Sequence, residues 1–251
     1  MDLGLTDRVF VVTAASSGLG LASARALLDE GARVVLVARR AETLAALRGE
    51  LGDDRVAVVP GDLSDPTLCQ RAVDLALTTF GRLDGALASV GGPPKGGVLD
   101  NTDAEWEAAF GSVFLPALRL ARAVFGASPA SRLALVLSVS AKSPLPSMAI
   151  SNGLRPGLAV LVKQLADEVG PRGGRVVGLL PGSIATDRLT YLYSQTPDPA
   201  ATRAAAEANV PLRRLGEPAE FGRAAAFLLS DAASYISGSL VPIDGGAART
   251  L

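Results

Sequence analysis

A chain of 251 residues, half of them apolar and a fifth charged, is long enough for one large α/β domain with a buried sheet, or for two small domains. Its 24 Lys and Arg against 25 Asp and Glu leave a net charge of −1, so no basic excess points to nucleic acid or a membrane surface as partner. Histidine is absent, which excludes a His general base, a His-assisted nucleophile and a His-containing zinc site, and leaves no metal site to expect.

Short apolar runs alternate with longer segments whose apolar residues recur every three or four positions. In the first half the pattern predicts strands Arg8–Val12, Arg33–Val37, Arg55–Val59 and Gly85–Ala88, separated by helices Leu19–Glu30, Ala41–Leu51 and Pro66–Phe80. A long helix Asp103–Phe125 follows, then strand Leu133–Leu137, helix Leu154–Val169 and strand Arg175–Leu180. Helix Ala219–Leu229 and strand Leu240–Ile243 close the pattern. Ser64 or Asp65 and Asp103 are expected N-caps, and Gly31 an expected C′ residue. The strands read as continuous apolar runs, as when helices cover both faces, and repeated βα units imply parallel strands with right-handed crossovers.

Neither a linker nor an internal repeat is apparent, so residues 1–251 are expected to form one domain. The stretch Asp187–Pro211, Ala-rich and carrying Pro197 and Pro199, interrupts the alternation and is expected to be a lid-like excursion over a ligand crevice. The single cysteine, Cys69, excludes an internal disulfide and fits a reducing compartment. Residues 1–12 lack the pattern of a signal peptide, and no apolar run of 18 residues is evident, so the expectation is a cytoplasmic protein without a membrane segment.

The first strand runs into Thr13-Ala14-Ala15-Ser16-Ser17-Gly18-Leu19-Gly20 and then a helix. Glycines at a strand-to-helix turn let backbone N–H groups approach a pyrophosphate, and the helix N-terminus adds a favourable dipole. After the second strand the chain reads Val37-Ala38-Arg39-Arg40. A carboxylate there would accept hydrogen bonds from the adenosine ribose, whereas an Arg accommodates a 2′-phosphate, so NADP is expected over NAD.

The chain resembles the short-chain dehydrogenase/reductase family, and within it the 3-oxoacyl-carrier-protein reductases. The glycine loop is similar to the family's TGxxxGxG, with Ala14 in place of the first glycine. Asp62-Leu63 follows the third strand, where the family sets an Asp against the adenine. Gly91 closes Ala88-Ser89-Val90-Gly91, at the place of the family's NNAG. Pro181-Gly182-Ser183-Ile184-Ala185-Thr186 looks like the PGxxxT that holds the nicotinamide carboxamide, and Val241-Pro242-Ile243-Asp244-Gly245-Gly246 like the closing strand and turn. The resemblance implies a Rossmann-type, doubly wound, seven-stranded parallel sheet with helices on both faces. It also implies a cofactor site built from Thr13, Ser16, Ser17, Gly18, Leu19, Gly20, Arg39, Arg40, Asp62, Leu63, Gly91, Pro181, Gly182, Ile184 and Thr186.

At the reaction centre the resemblance breaks. The family's Asn-Ser-Tyr-Lys set maps onto Val113, Ser138, Ser151 and Arg155, so the Ser alone is retained. A serine hydroxyl is shorter than a phenol and a far weaker acid, and a guanidinium does not relay protons at neutral pH. The candidate catalytic residues are Ser138, Ser151 and Arg155, with Lys95, Lys142, Tyr191 and Tyr193 as substitute acids. Three readings stay open. One is an NAD(P)-dependent oxidoreductase of a small carbonyl or alcohol with a modified proton relay. The others are a weak or inactive dinucleotide-binding protein and a non-redox enzyme on the same fold. The helices Asp103–Phe125 and Leu154–Val169 carry more apolar and small residues than one sheet face requires, and the resemblance implies that they pack across a two-fold axis, so a homo-oligomer, a tetramer, is expected.

Overall fold

The computed structural model describes residues 2–249. One all-parallel sheet contains β1 (Val9–Thr13), β2 (Arg33–Ala38), β3 (Val56–Pro60), β4 (Gly85–Ala88), β5 (Arg132–Val136), β6 (Arg175–Pro181) and β7 (Ser239–Ile243). The spatial order is β3-β2-β1-β4-β5-β6-β7, the expected doubly wound α/β fold. Alternation along each strand divides the interior in two. Val9 and Val11 face a layer that includes α3 (Leu68–Phe80), α5 (Leu115–Ala127) and α6 (Ala149–Val169). Phe10 and Val12 face the other layer, with α1 (Gly18–Asp29), α2 (Ala41–Leu51) and α9 (Pro218–Leu229). Both faces are thus dry, which is why the strands show no polar alternation. The edge strand β7 carries Pro242, where a missing N–H does least harm to the ladder.

The strand order reverses between β1 and β4, so the turns at their C-terminal ends part and leave a crevice, the usual ligand position in such sheets. Strand boundaries lie within a residue of expectation, and the helices differ more. The expected helix Asp103–Phe125 is two helices, α4 (Asp103–Ala109) and α5, joined by one wide π-type turn at Phe110–Phe114. As a single stretch, Asp103–Ala127 is long and apolar enough to cross a bilayer by composition alone, contrary to the reading that no such run exists. The wide turn lies within this helical run without ending it, and half of its most apolar window is buried inside the protein. The cap of α4 is Thr102, not Asp103: its hydroxyl accepts from the Glu105 N–H while Glu105 returns a bond to the Thr102 N–H. Thr67, not Ser64 or Asp65, flanks α3, while the Asp65 carboxylate accepts from the Thr67 N–H at 2.8 Å. Gly31 takes the left-handed conformation expected of a C′ residue.

Helix α6 starts five residues before the expected Leu154, because Gly153 and Pro156 do not break it. A Cβ on Gly153 would lie 2.6 Å from the Trp106 ring, so this glycine lets α6 pack against α4. The earlier start puts Ser151 and Arg155 on one helix, a turn apart. The excursion is two helices, α7 (Asp187–Ser194) and α8 (Pro199–Asn209), capped by Thr186 and Asp198.

Candidate active site

At the C-terminal end of β1 the buried Thr13 hydroxyl donates to the Ser89 carbonyl oxygen, tying β1 to the segment after β4, and the Ala15 N–H donates to Val37 at 3.1 Å. The Thr13 hydroxyl therefore holds the crevice walls together rather than facing a ligand. Ala14 adopts φ +48°, a left-handed conformation that costs an L-residue roughly 1–2 kcal/mol and explains why a glycine is usual there. Gly18 has φ +56°, and a Cβ on Gly20 would lie 2.5 Å from the Ala14 carbonyl oxygen. The first glycine makes the turn and the second lets α1 approach the loop. Ser17 flanks α1 without capping it by its side chain, and the first turn carries no acidic residue. Uncapped amides at a helix start form a cradle for a diphosphate, and the two glycines fit that use.

A cavity of about 360 Å³ opens beside this loop, lined by Ser16, Ser17, Arg39, Asp62, Leu63 and Gly91 among others. Of the adjacent arginines, Arg39 borders it and Arg40 does not: Arg40 is exposed and flanks the start of α2. One Asp62 oxygen accepts from both the Ser64 N–H, at 2.8 Å, and the Ser64 hydroxyl, at 2.7 Å. Those bonds, with Arg39 nearby, hold the Asp62 carboxyl below its ordinary pKa. Ser112, on the wide turn, and Gly92 line the same cavity and were not anticipated; the sequence offered no periodic signal for an extra turn residue.

On the far wall Pro181 ends β6, and the Gly182 N–H donates to Ile243 at 3.0 Å. Ile184 is buried and pairs with Gly216. Thr186 caps α7 with its hydroxyl, and its methyl lies 3.7 Å from where a Gly18 Cβ would stand, so α7 begins directly opposite the phosphate loop. Gly18 and Thr186 share a second cavity. Leu19, in the first turn of α1, packs partly buried against the core on that face of the sheet.

Ser138 follows β5 and begins a short helical turn, and its Oγ accepts from the Ser140 N–H at 3.1 Å. The Ser140 hydroxyl lies 3.1 Å from the Ser151 hydroxyl, and both are buried. Ser140 is thus the functional candidate that sequence reasoning missed; the Ser138-Val139-Ser140 spacing at a strand end was its only signal. Arg155 is buried at 6% exposure and donates to the Val136 carbonyl oxygen at 2.8 Å, while its Nε has no partner among the described residues. Burial pushes its pKa down to about 10, so it remains a cation at neutral pH. Val113 sits with Ala109, Ile150 and Leu154 in an apolar cluster, so nothing polar stands at the usual Asn position.

The substitute acids are not joined to this centre: among the described residues no hydrogen bond links Lys95, Lys142, Tyr191 or Tyr193 to Ser138 or Ser151. Tyr191 is exposed, and burial raises the Tyr193 phenol above its ordinary pKa, the wrong direction for a proton donor. Lys95 belongs to a loop stitched to the start of α6, where the Gly96 N–H donates to Ser147 and the Ala149 N–H to Gly96.

A family model described as enoyl-(acyl carrier protein) reductase matches residues 13–248, where the resemblance by motif points to 3-oxoacyl-carrier-protein reductases. An oxidoreductase of Mycobacterium tuberculosis is 34% identical over 250 residues, which cover 96% of this chain and 91% of the relative. L-sorbose reductase of Gluconobacter frateurii, solved with NADPH and L-sorbose, is 29% identical with a TM-score of 0.93, and each chain is covered in full. A short-chain oxidoreductase of Pseudomonas aeruginosa with an atypical catalytic centre is 29% identical with a TM-score of 0.91, over 99% of this chain and 100% of its own, and it has also been solved with NADPH bound. This chain, with its seven-stranded parallel sheet and glycine-lined crevice, belongs to the short-chain dehydrogenase/reductase family.

Proposed function

We propose that this protein is an NADPH-dependent reductase of small carbonyl compounds that works without the family's phenol. The observation that carries the proposal is the crevice: a glycine cradle at the start of α1, Arg39 on its rim, and no carboxylate at the end of β2. Gly18, Gly20 and the first amides of α1 would hold the diphosphate, and Arg39 would pair with the 2′-phosphate. Asp62 and Leu63 would border the adenine, and Gly91, Pro181, Gly182, Ile184 and Thr186 the nicotinamide half. The two solved relatives with NADPH support this choice, one of them with an atypical catalytic centre of its own.

When bound, the nicotinamide supplies a hydride. Ser138 orients the substrate: its Oγ already accepts the Ser140 N–H, so its own proton is free to be donated to a carbonyl oxygen. The Ser140–Ser151 hydroxyl pair braces the short turn that carries Ser138 against α6. Arg155 presents a permanent positive charge beneath the end of β5, suited to ribose hydroxyls or to charge developing on the substrate oxygen. None of these groups titrates near neutrality, so water delivers the proton, and turnover is slow relative to a phenol-assisted reaction by about 10²–10⁴.

A second reading, a dinucleotide-binding protein without turnover, is favoured by the burial of Ser151 and Arg155. Calorimetric titration with NADPH and NADH, followed by a panel of reactive carbonyls, separates the two. The reductase reading expects tighter NADPH binding and slow oxidation of it. Tight binding with no turnover, and turnover gained in the double variant Ser151→Tyr, Arg155→Lys, would establish the second reading instead. We also propose one domain with the α7–α8 excursion as a lid, a cytoplasmic location consistent with the single buried thiol, and a homotetramer. An apolar groove between α5 and α6, lined by Leu118, Phe125, Leu161 and Leu165, supports the last, and light scattering showing a 25.5 kDa particle would refute it.

A further inference from the structure

The excursion crosses the crevice at one point. Arg188, in the first turn of α7, donates through Nη2 to the Pro93 carbonyl oxygen at 2.9 Å, in the loop after β4. Its guanidinium lies flat against the preceding glycine: a Cβ on Gly92 would meet Nη2 at 3.2 Å, Nε at 3.3 Å and Cζ at 3.4 Å. Gly92 lines the nucleotide cavity together with Ser16, Ser17 and Ser112. Two residues before Arg188, the Thr186 methyl faces Gly18 of the phosphate loop. One side chain therefore bridges the two rims of the crevice, from the helix that begins opposite the phosphate loop to the loop that walls the other side.

The bridge carries a charge that no neighbouring acid offsets: no carboxylate lies within ion-pair distance of Arg188 among the described residues. A single bond to a neutral carbonyl uses one of five donors on a guanidinium. A cation with donors to spare, resting on Gly92 at the edge of the cavity that Ser16 and Ser17 of the phosphate loop also line, is complementary to a diphosphate. A neutral side chain here would close the crevice as well but would gain nothing from an anion beneath it.

We infer that Arg188 is a strap over the bound dinucleotide. It pairs with the diphosphate from the solvent side, holds the start of α7 against the Gly92–Pro93 rim, and sets the rate at which nucleotide leaves. The inference rests on the nucleotide reading given above and adds to it a residue outside the family motifs. Retention by a closing element acts on release more than on association, because the crevice must be open in either case for nucleotide to enter.

The test is stopped-flow displacement of NADPH, read by nucleotide fluorescence, for the wild type, Arg188→Ala and Arg188→Lys. Hydrogen exchange of residues 187–194 with and without NADPH accompanies it. Release is expected to quicken roughly tenfold in Arg188→Ala, with association changed by less than about twofold and an intermediate rate in Arg188→Lys. NADPH is expected to slow exchange in α7 of the wild type and not in Arg188→Ala. Arg188 is exposed, so both variants should keep the wild-type melting temperature, and a variant that melts early is replaced by the Lys form for the comparison. Unchanged release and unchanged exchange in Arg188→Ala overturn the strap. So does a variant that raises only the KM of carboxylate-bearing substrates, which makes Arg188 a substrate anchor. If the wild type does not bind NADPH at all, the nucleotide reading fails and the strap fails with it, a result distinct from normal binding with unaltered release.

Discussion

The two halves of the crevice have met substitution differently. In the half beside β1 and α1, Ala14 replaces a glycine, yet the turn keeps its shape, with φ +48° at Ala14 and φ +56° at Gly18. What that half offers a ligand is backbone N–H groups, which a side-chain change leaves in place provided no Cβ intrudes. In the half beside β5 and α6, Ser151 and Arg155 replace a phenol and an ammonium, and both are drawn into the interior, bonded to Ser140 and to Val136. There the chemistry depends on side-chain pKa and reach, and each is lost with the residue. Binding built from backbone tolerates substitutions that remove proton transfer built from side chains.

The sharpest way to break this contrast is to push a side chain into the backbone half. Gly20→Val would force a Cβ to within 2.5 Å of the Ala14 carbonyl oxygen, and NADPH affinity should fall about 100-fold or more, as fluorescence titration would show. The circular dichroism spectrum should stay that of the wild type, because the clash is confined to the loop.

Arg155→Met is expected to act in two opposed directions. A guanidinium buried without a carboxylate is a burden on folding, so its removal should raise stability by roughly 1–2 kcal/mol, about 3–6 °C in Tm for a chain of this size. NADPH affinity should meanwhile fall about tenfold. A melt and a titration on one preparation check both, and a loss of stability would mean that Arg155 is structural. Arg39→Ala should weaken NADPH five- to tenfold, about 1–1.4 kcal/mol, and leave NADH unchanged, which calorimetry resolves. Ala14→Gly should do least. Relief of the left-handed strain and the added freedom of the unfolded chain nearly cancel, so stability should stay within about 0.5 kcal/mol. NADPH affinity should hold within about twofold, by the same titration.

Much of the sheet was legible because a strand covered on both faces must be apolar throughout, and the Val- and Leu-rich runs admit few other readings. The phosphate loop was legible for a related reason: its glycines answer local demands of turn and close approach. The wide turn at Phe110–Phe114 was not, because an extra residue in a turn leaves the apolar spacing nearly intact. The early start of α6 was missed because Gly153 reads as a breaker in sequence, whereas in the fold it makes room for Trp106. Arg39 and Arg40 are indistinguishable as letters and both exposed, and only the geometry at the end of β2 sets Arg39 and not Arg40 on the rim of the cavity. Ser140 escaped notice since its bond to Ser151 joins residues eleven apart, on different elements.

The central claim is that Ser138 orients the substrate in a centre with no titrating acid. The most direct test is kcat/KM for NADPH oxidation by a reactive carbonyl between pH 6 and 9, in the wild type and in Ser138→Ala. Serine hydroxyls do not ionise in that range, and Arg155, lowered to about 10, stays protonated throughout it, so the wild-type profile should be slow and flat. Ser138→Ala should run about 100-fold lower with NADPH affinity unchanged. An inflection within the window, or equal rates in the two proteins, would contradict the account.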